Sequence, residues 1–165
     1  MKWRLSAVAL AAAFLFALQM GSAAAGKPVI FTDHEHKATD TFHDVIPCLD
    51  GGAPATITTT ENGVVHLTAA GLDANGDPIP PYHITGTFTG TVVAVPDDPS
   101  LPTYTGHFTT WFGENSNAKS FVDTDTFTVI AHGSDGSIIK FHDTFHVTVN
   151  AQGQVTVEFD KPHCF

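Results

Sequence analysis

The sequence predicts an all-β protein, an antiparallel up-and-down β-barrel of about eight strands, with a two-sheet β-sandwich as the alternative. Three observations lead there. Apolar and polar residues alternate with period two along most of the chain after residue 28. Turn-forming pairs such as Asn62-Gly63 and Asp135-Gly136 separate the alternating runs. No long stretch carries the spacing of an amphipathic helix.

The clearest alternation runs from Ile139 to Val149. Ile139, Phe141, Asp143, Phe145, Val147 and Val149 share one face, apolar except for Asp143, and Lys140, His142, Thr144, His146 and Thr148 share the other. That is the pattern of a strand with one side on a core. Phe127, Val129 and Ala131 alternate with Thr126, Thr128 and His132, with Ile130 out of step. Val155, Val157 and Phe159 alternate with Thr156, Glu158 and Asp160. Tyr82, Ile84, Phe88 and Val92 oppose a run of threonines, and Tyr104, Phe108 and Phe112 oppose Thr105, His107 and Thr109. Gly86, Gly90 and Gly106 fall on these aromatic faces, where they leave room for a bend or a neighbour's large side chain.

Strands are expected near 29–36, 39–46, 55–60, 64–69, 82–95, 103–112, 122–132, 137–149 and 154–160. Asn62-Gly63 and Asp135-Gly136 read as tight hairpin turns, because both central residues of a type I′ turn need positive φ. Asn150-Ala151-Gln152-Gly153 suits a slightly longer one. Several strands exceed the usual length of about 5–6 residues. A meander of long strands most simply closes on itself, which removes its exposed edges.

The first 25 residues have a different character. Lys2 and Arg4 precede an apolar run from Ala7 to Leu18, followed by the small residues Ser22-Ala23-Ala24-Ala25. This is the layout of a secretory signal peptide, with cleavage expected after Ala25. The apolar run is too short for a membrane span of roughly 20 residues. The expected product is a secreted, extracellular chain, residues 26–165, forming a single all-β domain with no membrane attachment after cleavage. It is long enough for a real core.

Removing Lys2 and Arg4 from a chain of formal charge −10 takes the charge to −12 and leaves no arginine. An acidic chain without guanidinium groups is unsuited to nucleic acid, whose binding depends on neutralising phosphates. The ten histidines gain charge in mild acid, so composition predicts self-association as the net charge falls below about pH 5.5. Cys48 and Cys164 are the only cysteines. In an exported chain they read as one disulfide, the alternatives being two free thiols or a metal-binding pair.

From Gly86 onward the chain resembles a group of uncharacterised secreted proteins of actinomycete-type bacteria. The resemblance is carried by Thr85-Gly86-Thr87-Phe88-Thr89-Gly90-Thr91, Tyr104-Thr105-Gly106-His107-Phe108 and Gly133-Ser134-Asp135-Gly136-Ser137, with Cys48 and Cys164 fitting the same picture. It implies secretion and brings no activity. The expected architecture is also similar to lipocalin-like and allene-oxide-cyclase-like barrels. It departs from lipocalins in lacking their first-strand Gly-x-Trp, since Trp111 is the only tryptophan after the leader.

Three functional readings follow. The leading one is a secreted, non-enzymatic barrel that binds a small apolar molecule or an extracellular partner, with Phe88, Phe108, Phe127, Phe141 and Phe145 as ligand-lining candidates on the inward faces, the plain alternative being that these rings pack the interior solid. The second is a barrel enzyme of cyclase or isomerase type. Asp143, alone on an apolar face, would supply the acid or base, because burial raises a carboxyl pKa. The third is a metal binder using His34 and His36, which on a strand point the same way about 7 Å apart. A third ligand would come from His43, His142 or His146, and the plain alternative is a solvated polar face. Asp123 and Asp125 read as solvating residues at a strand start. Asp73-Ala74-Asn75-Gly76-Asp77 is a poor calcium loop without a later glutamate. No Gly-x-Ser-x-Gly, His-Glu-x-x-His or phosphate-cradling loop occurs, and no cofactor is expected.

Overall fold

The computed structural model describes residues 28–49 and 52–165. The expected signal peptide lies outside the described residues. Eight strands follow one another: β1 (Val29–Ile46), β2 (Ala53–Leu72), β3 (Pro78–Pro96), β4 (Tyr104–Ser116), β5 (Ser120–Gly133), β6 (Ile138–Asn150), β7 (Val155–Asp160) and β8 (His163–Cys164). They form one antiparallel meander in the order β1-β2-β3-β4-β5-β6-β7. β8 lies beside β6 as well, pairing Cys164 with Phe141 while β7 pairs with Phe145 to Val149.

Directly opposed residues of an antiparallel sheet share a face, so the register sorts every side chain. One row across the inner face reads Asp40, Thr59, Val92, Gly106, Ala131, Ile139. The next reads Ala38, Glu61, Gly90, Phe108, Val129, Phe141. The buried core comes from this face and concentrates at the end where β1 meets β2, including Ile46, Ala55, Ala94, Tyr104 and Ile139. Disulfide-bonded Cys48 and Cys164, with Cα atoms 5.6 Å apart, tie the β1–β2 turn to the C-terminal tail at that same end. The outer face is built from threonines and histidines, including the ladder pairs Thr39–Thr60, Thr41–Thr58 and Thr89–Thr109.

Glycines let the inner face curl. A Cβ at Gly63 would run into the Phe88 ring, and one at Gly86 into the Phe112 ring. Each ring therefore lies across the bare backbone of its row neighbour. At Gly90 and Gly106 the obstacle would be backbone of the adjacent strand, so these positions set how closely neighbouring strands approach on the concave side.

Among the described residues the expected closure into a barrel is absent: β1 pairs only with β2, and β7 only with β6. Both outer strands carry inward carboxylates, Asp33, Glu35, Asp40 and Asp44 on β1 and Glu158 and Asp160 on β7. Inward charge on an edge strand discourages further pairing. Asp33, Asp40 and Asp44 also accept hydrogen bonds from the backbone N–H of His34, Thr41 and Val45, occupying donors of the edge.

Further expectations are corrected. Segments 29–36 and 39–46 are one strand, continuous through a bulge between Glu35 and Ala38, where Lys37 has φ 51°. Segments 55–60 and 64–69 are likewise one strand, and Asn62-Gly63 is not a hairpin. Asn62 braces the bulge instead, its Oδ1 accepting the Lys37 N–H and lying 2.9 Å from His36 Nδ1. Phe159 faces outward, stacked on His146 at 5.2 Å, because the register between β6 and β7 slips at Thr148/Val149 and reverses the parity of β7. The turns at Asp135-Gly136 and Asn150–Gly153 form where expected, with Gly136 at φ 89° and Gly153 at φ 74°, but Asp135 is not at positive φ and the first turn is closed between Gly133 and Ser137, so it is not the expected type I′ pair.

Candidate functional site

The sheet separates its ionisable groups by face. The cross-paired histidines, from His34 and His43 on β1 to His142 and His146 on β6, register with outward residues such as Val64, Thr56, Thr128 and Thr124. The strand carboxylates register with the core. On β4 to β7 they make a continuous file: Glu114 stands opposite Asp123, Asp125 follows two residues along β5, Asp143 lies diagonally across on β6, and Asp160 diagonally beyond it on β7. Between them, on the same face, are Phe112, Phe127, Phe145 and Val147, the direct partners of Asp125, Asp143, Asp160 and Asp123.

This surrounding raises the acids. Asp125 is pushed up to about 7, first by burial and then by the charges of Asp123, Glu114 and Asp143. Asp143, 7% exposed, is raised to about 6 by burial and then by Asp160; the Thr144 backbone and His142 oppose the rise. Asp123 is raised by burial and Glu114, against the Thr124 N–H and His146. At the head of the file the Tyr82 hydroxyl donates to Glu114, and burial with that bond raises the phenol. Asp143 Oδ1 is buried with no hydrogen-bond partner.

A second, smaller group sits on β1 and β2. Glu61, 6% exposed, is raised by burial and then by Glu35 and Asp40, and Glu35 is raised by burial and Asp33. Oε2 of each glutamate and Oγ1 of buried Thr59 are also without partners. Among the described residues the one ion pair is His43–Asp97, at 2.8 Å and away from both groups. Lys140 pairs with outward Ile130, and Lys161 lies over the outward Phe159 ring, 4.5 Å from its centroid.

The phenylalanine candidates are brought together. Phe88, Phe108 and Phe141 are buried on the inner face, and Phe127 and Phe145 are half-buried beside them. Ring centroids are 6.1 Å apart for Phe108–Phe127, 6.3 Å for Phe127–Phe141, and 6.2 Å for Phe88–Phe112. They form an aromatic floor rather than isolated contacts. A separate surface recess of about 450 Å³ lies at the disulfide end, lined by Leu49, Ala53, Pro54, Asp98 and Leu101.

The histidine candidates are dispersed. His34 and His36 are both exposed, and the bulge after Glu35 ends the regular alternation just where His36 falls. His43 is held by Asp97, while His142 and His146 lie within hydrogen-bond reach of Thr128 and Thr144, and of Thr124 and Thr148. Among the described residues no group of three or more His, Cys, Asp or Glu is placed to hold a metal ion.

Asp143 was reached from the sequence, whereas Asp125, Glu114, Asp160 and Glu61 were not. The alternation held the means for Asp123 and Asp125, because Phe127, Val129 and Ala131 continue the same odd-numbered face. The arrangement amounts to an apolar floor crossed by carboxylates within 4 Å of which no lysine of the described residues lies. No family model, curated protein or solved structure matches the chain.

Proposed function

We propose that this chain is an exported, non-enzymatic binding protein of the extracellular space that holds a ligand with an apolar body on the inner face of its curled sheet. The observation that carries this reading is the run of rings Phe108, Phe127 and Phe141, with the Phe88–Phe112 pair and Phe145 on the same inner face, in a sheet whose two outer strands do not pair with each other among the described residues. Apolar side chains beside a few convergent polar groups are the usual makeup of a small-molecule site. A ligand lodged between the outer strands would draw the sheet toward the up-and-down barrel that its meander anticipates. The disulfide between Cys48 and Cys164 fits an oxidising compartment.

Native mass spectrometry and thermal shift against a panel of apolar and amphiphilic small molecules test this. The expected result is a one-to-one adduct that raises the melting temperature and is lost in Phe127→Ala. A stable, monodisperse chain that retains nothing from the panel would refute it. Export is tested separately, by N-terminal sequencing of protein recovered from the medium, which should begin at Gly26.

One observation favours a second reading, a barrel enzyme of cyclase or isomerase type. Asp125 and Asp143 are held at about 7 and about 6, where a carboxyl can both accept and release a proton near neutrality. It requires turnover that Asp143→Asn abolishes while binding survives.

A further inference from the structure

We propose that the carboxylate file from Glu114 to Asp160 is the seat of a linear aliphatic polyamine, its ammonium groups on the carboxylates and its methylene segments on the intervening phenylalanine rings. This rests on the inner face being the binding face, and names the class of ligand it takes.

The charge itself asks for a cation. Five carboxylates lie along one path, and no lysine of the described residues comes within 4 Å of any of them. The independent observation is Asp143: it is more than nine-tenths buried and sits between Asp125 and Asp160 on the path, and although its carboxyl meets that of Asp160, its Oδ1 has no partner. A buried carboxylate oxygen without a donor is a vacant acceptor, and an ammonium group supplies three N–H donors with the complementary charge.

Spacing selects among cations. Directly opposed positions such as Glu114 and Asp123 have Cβ atoms about 4.5–5.5 Å apart, diagonal ones about 7–8 Å, and successive same-face positions such as Asp123 and Asp125 about 6.8 Å. Among the described residues no three of these side chains come together to hold a metal ion, so a divalent cation would lack the roughly six or more oxygen ligands it takes. Three or four methylenes between nitrogens span roughly 5–6 Å, given bonds of ~1.5 Å, and flexible carboxyl arms make up the difference. A basic peptide fits less well. Its own N–H and C=O groups would lie over phenylalanine rings that offer them no partner, whereas methylenes gain from that contact.

Isothermal calorimetry on the full mature chain at low salt decides the matter, with putrescine, spermidine and spermine as probes. Octanol, calcium and magnesium serve as comparisons. Affinity should rise with the number of ammonium groups. The Asp125→Asn, Asp143→Asn double variant should weaken spermine binding about ten- to a hundredfold. Asp77→Asn, which removes one charge from the β2–β3 turn, should leave binding unchanged. Thermal melts of each variant exclude unfolding as the cause, since removing mutually repelling acids should stabilise the sheet. Spermine binding unaffected by the double variant would overturn the site. Calcium or magnesium competing with spermine at equal concentration would overturn the ligand class. Neutral apolar compounds binding where polyamines do not would overturn this inference and leave the inner-face reading standing; binding of neither would remove both.

Discussion

Replacing Asp125 by asparagine removes one charge from the middle of the carboxylate file and keeps the size of the side chain. The folded protein holds this carboxyl at about 7 against an ordinary 3.8. At ~1.4 kcal/mol per pH unit, ionising it in the folded state costs roughly 4 kcal/mol more than in the unfolded chain. The side chain is partly open to water, and screening removes roughly half of that, leaving ~2 kcal/mol. The sign follows from the raised value. Below about pH 4 both folded and unfolded chains hold the proton, so the wild type suffers no penalty. Between about pH 4 and 7 the unfolded chain releases its proton first, and stability falls until the folded carboxyl ionises too. Asp125→Asn should therefore match the wild type near pH 4 and exceed it by ~2 kcal/mol at pH 8. For a chain of this size that corresponds to about 4–8 °C in melting temperature. Urea unfolding of both proteins across this range measures the difference directly, and titrating groups outside the carboxylate file cancel in the comparison. A variant no more stable than wild type at pH 8, or a gap that does not change with pH, would refute the placement of Asp125 among buried acids.

Other perturbations follow from the same architecture. Replacing both Cys48 and Cys164 by serine should cost on the order of 4–5 kcal/mol in the chain-entropy description of a 116-residue loop, read by urea unfolding against the oxidised protein. Gly63→Ala should destabilise by about 1–3 kcal/mol, because the new methyl enters the space of the Phe88 ring. Adding Phe88→Leu should recover part of that loss, and a simple additive loss would count against the ring-over-glycine contact. Lowering the pH from 7 to 5 should raise light scattering, as outward histidines gain charge and inward carboxylates lose it and the mutual repulsion of a strongly acidic chain fades; unchanged scattering would argue against charge as what keeps the chain dispersed.

Much of the fold was legible because period two is a strong constraint. The odd-numbered residues from Ile139 to Val149 all take the inner face, and the glycines at 86, 90 and 106 sit where rings or strands come close. The misreadings of β1 and of Phe159 share one cause, a single extra residue that reverses parity. The bulge after Glu35 made one long strand look like two, and its brace Asn62, followed by Gly63 beneath a phenylalanine ring, imitated a type I′ turn. The slip opposite Val149 turned Phe159 outward and brought Glu158 and Asp160 inward. Barrel closure depends on whether the first and last strands pair, which no local pattern encodes. The site divides in the same way. Asp143 stood out because its neighbours are apolar, while Asp125 lay at a strand start and looked solvated, and Glu61 fell in the gap between expected strands 55–60 and 64–69. Asp160 joins them only through the β7 slip, and a bulge of that kind leaves no distinctive residue behind.

The partition of charge between the two faces is tested most directly by following the side-chain carboxyl carbons of aspartate and glutamate through a pH titration by NMR. Asp125 should titrate near 7 and Asp143 near 6, while Asp98, which accepts hydrogen bonds from Ser100, should titrate below the ordinary range. Carboxyls that all titrate together in the ordinary range would show that the file faces open water, and would contradict the inner acidic face on which the proposed function stands.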